Sequence, residues 1–92
     1  MRRQTRLRLA ALERDDNCCI DCGAYSQEVH HIVGRGHRGA WCIENLVTLC
    51  TACHREAHNR AARERHIDIL RSRYGYVYQG ELWEGVIMNQ DI

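Results

Sequence analysis

Two cysteine pairs with identical spacing are the most distinctive chemical feature of this sequence. They are Cys19-x-x-Cys22 and Cys50-x-x-Cys53, in a chain of 92 residues. Four thiolates in two tight turns suit the tetrahedral coordination of Zn²⁺, and paired cysteines in a reducing compartment more often bind metal than form disulfides. The spacing therefore predicts a structural zinc site with these four ligands.

Two further cysteines leave one ambiguity in this site. Cys18 could replace Cys19 as a ligand, because its separation from Cys22 also falls within the spacings that zinc ligands use. We favour Cys19, since its separation from Cys22 repeats that of the second pair. Cys18 and Cys42 are then expected to be small buried hydrophobic residues.

Four histidines lie close to these cysteines in the chain. His54 and His58 are four residues apart in a segment without Gly or Pro, so a helix would place both on one face. His30 and His31 are adjacent in a segment of high β-propensity, and neighbouring side chains of a strand point in opposite directions. Three imidazoles with an open position for substrate are typical of a catalytic metal site, and a fourth could act as a general base. The histidines therefore predict a second metal centre, with a catalytic role.

The elements that must position these groups follow from hydrophobic periodicity and residue propensity. The sequence predicts a helix at 5–14 and strands at 27–33 and 44–50. Leu9 and Leu12 are expected to form the apolar face of the first helix, and residues 15–17 to end it. A second helix is expected to begin after Thr51 as its N-cap, and it either breaks near Asn59 or continues.

The composition excludes several classes of protein. Thirteen basic residues, all Arg, against 12 acidic residues give a net charge of +1, which does not suit a strongly basic protein that coats nucleic acid. The lack of a long apolar run argues against a signal peptide and a membrane span, so we expect a cytoplasmic protein.

Arginine can bind phosphate through two hydrogen-bond donors. The candidate phosphate contacts are Arg35, Arg38, Arg55 and Arg60, although a solvated charged surface explains each of them equally well.

In the order and spacing of its motifs the chain resembles the HNH endonucleases, also called ββα-metal or His-Me finger nucleases. The matching pieces are Cys19-x-x-Cys22-Gly23, Val29-His30-His31-Ile32, Asn45-Leu46-Val47-x-Leu49-Cys50 and Cys50-x-x-Cys53-His54-x-x-x-His58. The resemblance implies an α+β fold, a small zinc-stapled ββα-metal (treble-clef-like) domain with an N-terminal helix and a C-terminal helical extension. It also implies one domain over 1–92, with its core at 19–58, a helix and basic arm at 1–18, and the extension at 59–92.

The same resemblance implies a role for each motif residue. His30, in a position where many relatives have Asp, would bind the catalytic metal, and His31 would be the general base. Asn45 would tie down the loop between the strands and so hold the base in place. His54 and His58 would complete the metal shell. Without the resemblance, Asn45 would be taken for an ordinary turn residue.

The implied reaction is metal-dependent hydrolysis of DNA phosphodiester bonds, nicking or cutting DNA to leave 5′-phosphate and 3′-hydroxyl ends. The implied cofactors are structural Zn²⁺ and one catalytic divalent cation, which could be Mg²⁺, Mn²⁺, Ni²⁺ or Zn²⁺. Imidazole ligands suit the softer of these ions better than Mg²⁺. The implied partner is DNA and not a membrane, in a bacterial cell or a phage-infected host, and a phage or host DNA-processing protein is an open candidate for a protein partner.

Two other classes of protein compete with this interpretation. A non-catalytic, zinc-stabilised nucleic-acid-binding module would need the cysteines but not the histidines.

The second alternative is a zinc protease, suggested by His54-Arg55-Glu56-Ala57-His58. In the H-E-x-x-H motif the catalytic Glu directly follows the first His. Here Glu56 is two residues on, about 200° around a helix, so the protease is excluded.

Overall fold

A computed structural model describes residues 1–33 and 41–76 of the chain. The elements are helix α1 (Arg3–Arg14), strand β1 (Val29–His31), a 3₁₀ turn (Ile43–Asn45), strand β2 (Leu46–Thr48), helix α2 (Thr51–Arg55) and helix α3 (Arg60–Tyr74). The strands form an antiparallel pair in which His30 faces Val47 across the ladder. The predicted α+β class, with an N-terminal helix and a C-terminal helical extension, is confirmed.

Helix α1 begins two residues earlier than predicted and ends where predicted. Asp16 and Asn17 take left-handed backbone angles, with φ of 58° and 54°, and these are the residue types that tolerate this conformation best after glycine. Leu12 is buried as expected, but Leu9 is 49% exposed, so its predicted place on the apolar face is wrong. Ala11 is buried beside Leu12 instead, which makes the packed face of α1 narrow.

The end of α1 is fastened to β2 by a buried ion pair. Arg14 binds both carboxylate oxygens of Asp15, and its guanidinium also donates to the carbonyls of Ile43 and Leu46 at 2.9 and 2.6 Å. Asp15 Oδ2 in turn accepts a hydrogen bond from the backbone amide of Thr48 at 3.0 Å. Because each charge has several partners, the cost of burying the pair is largely offset, and α1 is held against the sheet.

Both strands are shorter than predicted, with three residues each. β-propensity predicts which residues favour an extended backbone, but not whether their backbone groups pair with a neighbouring strand. At the end of β1 a side chain binds the backbone groups instead. Asn45 Oδ1 accepts from the amide of Val33 at 2.8 Å, and its Nδ2 donates to the carbonyl of Val33 at 3.1 Å. One backbone bond follows the ladder, from the amide of Ile32 to the carbonyl of Asn45 at 2.9 Å. At Val33 the side chain of Asn45 replaces strand pairing.

The predicted second helix is two helices, and its predicted N-cap is wrong. The N-cap of α2 is Cys50, whose Sγ accepts from the amide of Cys53 at 3.4 Å. Of the two alternatives left open by the sequence, the break near Asn59 is the one found. Asn59 caps α3, because its Oδ1 accepts from the amide of Ala62 at 2.8 Å.

A small apolar core lies among these elements and packs against Cys50 and Cys53. Its members are Cys19, Ile20, Ile32, Val47, Leu49, Ala57, Ala62, Ile67 and Leu70. Among the helices that the structure describes, none combines the length and apolar character needed to cross a bilayer. Two of the candidate phosphate contacts, Arg35 and Arg38, lie outside the described residues.

Candidate metal centres

Four cysteine sulfurs converge where the two predicted pairs meet. Cys19, Cys22, Cys50 and Cys53 have Sγ atoms that all lie within 4.8 Å of one another. Cys18 is not a member of the cluster, because its thiol donates to the backbone carbonyl of Asp16 at 3.2 Å. The structure thus brings Cys19, and not Cys18, into the cluster, and the cluster can hold a structural zinc ion.

The two remaining cysteines differ in their burial. Cys42 is buried, as expected, and burial raises the pKa of its thiol to about 11. Cys18 is half-buried, so the expectation that it is a buried residue is wrong. The reason is that Cys18 lies in the turn after α1, where its thiol donates to the exposed backbone carbonyl of Asp16.

The four sulfurs influence one another's ionisation. Burial raises the pKa of Cys19, but backbone amides, led by that of Cys50, outweigh burial and lower the pKa to about 7. Hydrogen bonding to the sulfurs of Cys50 and Cys19 raises the pKa of Cys53 well above its ordinary value. Close thiols cannot all ionise without a neutralising cation. This donor set therefore fits Zn²⁺, which deprotonates the thiols that bind it.

Three histidine rings form a second cluster at the junction of β1, α2 and the following turn. The ring centroids of His30 and His54 lie 4.9 Å apart, those of His30 and His58 5.4 Å, and those of His54 and His58 5.7 Å. Within residues 1–33 and 41–76, the cysteines are the group whose ligand atoms all lie within 4.8 Å. The histidine cluster is thus the looser of the two.

The path by which His58 reaches this cluster differs from the prediction. Helix α2 ends at Arg55, so His54 and His58 do not share one helix face as expected. The turn after α2 is closed by Asn59, whose Nδ2 donates to the carbonyl of Glu56 at 3.0 Å. This turn, and not helical periodicity, brings His58 back towards His30.

His30 has the properties of a neutral metal ligand. Burial, and after it the neighbouring histidines led by His54, lower its pKa to about 3. Its Nε2 is buried and has no hydrogen-bond partner in the part of the chain that the structure describes. A metal requires a deprotonated imidazole nitrogen, so this buried, unpartnered atom fits a divalent cation bound among the three rings.

Glu28 is a functional candidate that the sequence analysis missed. Its Oε1 lies 3.2 Å from Nδ1 of His54, and its other oxygen accepts a hydrogen bond from the hydroxyl of Thr51. Thr51 and then His54 lower the pKa of Glu28. A carboxylate on the second nitrogen of a metal-binding histidine fixes the tautomer and the orientation of the ring. The available signal was alternation, since Glu28 precedes His30 by two residues on an extended segment.

His31 and Asn45 lie on the opposite side of β1 and beyond its end. The ring of His31 packs edge to face on Trp41, with ring centroids 4.4 Å apart and planes at 86°. Asn45 is fully buried, and its side chain forms two hydrogen bonds with the backbone of Val33. It therefore fixes the chain two residues after His31.

His66 is a second residue to which the sequence analysis assigned no role. It is fully buried on α3, with its Nε2 3.0 Å from Oδ2 of Asp21 and its ring centroid 6.0 Å from that of His30. Asp21 also binds Arg65. Burial raises the pKa of Asp21, but Arg65 and then His66 lower it to below its ordinary value.

The candidate phosphate contacts are only partly described. Arg55 and Arg60 are both exposed near the histidine cluster in the chain. Arg60 forms an ion pair with Glu64 at 3.0 Å, one helical turn further along α3. Arg35 and Arg38 cannot be compared with them, because both fall in residues 34–40, outside the described ranges.

The architecture is a small α+β domain in which the turn after α1, strand β1, helix α2 and the turn after it carry a four-cysteine cluster and a neighbouring histidine cluster. The model of the HNH endonuclease family matches residues 16–60, a range that contains both cysteine pairs and all five motif residues from His30 to His58. This match confirms, over residues 16–60, the family that the motifs predicted. No curated protein gives a significant match to the chain.

Proposed function

We propose that this chain is a metal-dependent HNH endonuclease that hydrolyses phosphodiester bonds of DNA. Membership of the HNH family indicates nuclease chemistry in general. The observation that carries the specific proposal is the convergence of the rings of His30, His54 and His58 within 6 Å of one another. A module that only bound nucleic acid would gain nothing from burying an imidazole with an unpartnered nitrogen, which costs free energy.

His30, His54 and His58 would hold the catalytic cation. When bound, that cation supplies positive charge that stabilises the charge developing on the scissile phosphate. Glu28 would hold the ring of His54 through its Nδ1, so that the other nitrogen is free to bind. The low pKa of His30 keeps its ring neutral at physiological pH, as a ligand must be.

His31 would act as the general base. An unperturbed imidazole titrates at about 6.5, which suits proton abstraction near neutral pH. His31 would take a proton from a water molecule as the water oxygen attacks phosphorus. The bond from phosphorus to the 3′ oxygen breaks, and that oxygen takes up a proton from solvent, so the products carry 5′-phosphate and 3′-hydroxyl ends. The contact with Trp41 and the bonds of Asn45 to Val33 would restrain the ring of His31 and the chain that follows it.

Arg55 and Arg60, together with Arg35 and Arg38, would bind phosphates on either side of the scissile bond. Such contacts position a duplex without reading its sequence. The ion pair of Arg60 with Glu64 is exposed and therefore weak, so exchange of Glu64 for a phosphate costs little. These proposed contacts predict binding that weakens steeply with salt.

The cellular setting is proposed on the chemistry of the cysteines. All six cysteines are free, and the clustered thiols must stay reduced to bind zinc. We therefore propose the reducing cytoplasm of a bacterial cell or phage-infected host. A phage or host DNA-processing protein is the proposed class of protein partner.

A nicking assay tests the activity. Supercoiled plasmid is incubated with zinc-loaded protein and Mg²⁺, Mn²⁺, Ni²⁺ or Zn²⁺, beside the His31→Ala variant. We expect the parent to nick the plasmid with at least one of these ions and His31→Ala to be slower by about 100-fold or more. Equal nicking by both proteins would refute the assignment of the base. No nicking with any ion, but retained DNA binding, would favour the non-catalytic module.

A further inference from the structure

His66 is a buried titratable side chain that the proposed chemistry does not use. It is 0% exposed, and within the described residues its Nδ1 has no hydrogen-bond partner. Burial of an imidazole costs free energy that a leucine at the same place would not. This cost calls for a compensating role, and the neighbours of His66 indicate which role that is.

On one side His66 is anchored to the first cysteine turn. Its Nε2 binds Asp21, the residue between Cys19 and Cys22, at 3.0 Å. Asp21 is held in turn by the Nε and Nη2 atoms of Arg65 at 3.1 and 3.2 Å. Because a carboxylate accepts hydrogen bonds, the Nε2 of His66 is the donor, which fixes the plane of the imidazole ring. The position of the ring therefore follows the position of the cysteine turn.

On the other side His66 contacts the histidine cluster. Its ring lies edge to face on His30, with centroids 6.0 Å apart and planes at 74°. His54 and His58 lie against His30 as well. The ring of His30 is thus confined between its two partner ligands and His66. The orientation of its buried Nε2 depends on that confinement.

We propose that His66 is a positioning residue that orients His30 for the cation, so that an ordered cysteine turn strengthens metal binding at the histidine cluster. The connection runs from Asp21 in the cysteine turn, through His66, to His30. This inference rests on the proposed function, because it requires the three histidines to bind a cation. Loss of residues that orient metal ligands typically weakens metal binding by about 10- to 100-fold.

The test measures Ni²⁺ binding to the zinc-loaded chain by titration calorimetry. We expect His66→Ala to bind Ni²⁺ about 10- to 100-fold more weakly than the parent while it retains one zinc ion. His66→Gln keeps an amide donor that can reach Asp21 and is expected to recover most of the affinity. Asp21→Asn is expected to weaken binding as well, because an amide holds Nε2 of His66 less firmly than a carboxylate.

Leu70→Ala provides the matched control for stability. Leu70 is also fully buried on α3, and it belongs to the apolar core, so its loss removes core packing but no imidazole. If Leu70→Ala lowers the melting temperature as much as His66→Ala but keeps the parental Ni²⁺ affinity, the effect of His66 is positional. Equal Ni²⁺ affinity of His66→Ala and the parent, or equal weakening in both variants, overturns the proposal.

His58→Ala separates failure of this inference from failure of the proposed function. If the parent binds Ni²⁺ and His58→Ala does not, the histidine cluster is a metal site, and the result for His66→Ala then decides the inference alone. If the parent binds no Ni²⁺ beyond its zinc, both the proposed metal site and the role of His66 are refuted.

Discussion

The cysteine cluster and the histidine cluster are built from the chain in different ways. Each cysteine pair is one local turn, so the only non-local step is to bring two turns together until all sulfurs lie within 4.8 Å of one another. The histidines come from a strand, a short helix and a turn, and the centroids of their rings stay 4.9 to 5.7 Å apart. The first arrangement suits a closed structural site, and the second leaves space for substrate.

Loss of the cysteine cluster is expected to have the largest effect. Zinc binding contributes about 10 to 16 kcal/mol in zinc-finger peptides, which exceeds what the small core of this chain can replace. Cys50→Ser should therefore unfold the chain, as observed by far-ultraviolet circular dichroism, and strong chelation should do the same to the parent. Cys18→Ser is the control and should keep the parental spectrum. An unchanged spectrum for Cys50→Ser would mean that the fold does not depend on zinc.

Loss of a histidine ligand is expected to leave the fold intact. His30→Ala should lower the rate of plasmid nicking by about 100-fold or more, because the cation that stabilises the transition state is lost. The cysteines do not involve His30, so the variant should retain its zinc, measured by atomic emission. If His30→Ala also loses zinc, the two clusters are one cooperative site and the contrast between them is wrong.

Loss of the Asn45 side chain should lower the free energy of unfolding by less than loss of the cysteine cluster does. Asn45→Ala leaves the amide and the carbonyl of Val33 without their partners in the protein interior. We expect the free energy of unfolding to fall by about 2 kcal/mol, measured by urea denaturation of the zinc-loaded protein. Asn59→Ala removes an exposed helix cap and should cost only about 1 kcal/mol. Equal losses would show that Asn45 is an ordinary turn residue.

The smallest expected effect is a pH dependence of stability that arises in the histidine cluster. The pKa of His30 is lowered from 6.5 to about 3 in the folded chain. Between pH 6.5 and about 3, His30 is protonated in the unfolded chain but neutral in the folded chain. The free energy of unfolding is therefore highest above pH 6.5 and decreases as the pH falls through this range. The slope contributed by His30 is at most about 1.4 kcal/mol per pH unit.

Urea denaturation of zinc-loaded protein at pH 6.5 and pH 5.5, without added Ni²⁺, measures that slope. His30→Asn removes the titrating group, and the loss of stability over this range should be smaller in the variant than in the parent. Acid weakening of the cysteine site is common to both proteins and cancels in the comparison. An identical loss in both proteins would show that burial does not depress the pKa of His30.

The sequence predicted the local parts of this structure well. The cysteine pairs and the end of α1 depend on neighbouring residues, and spacing or residue type was enough to locate them. The cap at Asn59 was one of two open alternatives, because a capping side chain and a continuous helix differ by only about 1 kcal/mol. The predicted strand lengths were wrong. At the end of β1 the side chain of Asn45 binds the amide and the carbonyl of Val33, which a longer strand would have paired.

The parts of the candidate site that sequence could not predict depend on contacts between distant segments. His66 is 36 positions from His30 in the chain, and only the fold brings their rings to 6.0 Å. Glu28 meets His54 for the same reason. The motif residues were identified through the family resemblance, whereas both supporting residues lie outside the motifs. Alternation along the strand was the signal for Glu28, and no spacing pointed to His66.

The ion pair at the end of α1 has a consequence for any excised fragment. The family match begins at residue 16, yet the amide of Thr48 in the middle of that match is satisfied by Asp15. The hydroxyl of Tyr74, beyond the match, donates to the carbonyl of Arg14 at 3.1 Å. Residues on both sides of the match thus bind each other, and a peptide trimmed to 16–60 would lose Arg14 and Asp15. The amide of Thr48 and the carbonyls of Ile43 and Leu46 would then lack the partners that these two side chains supply.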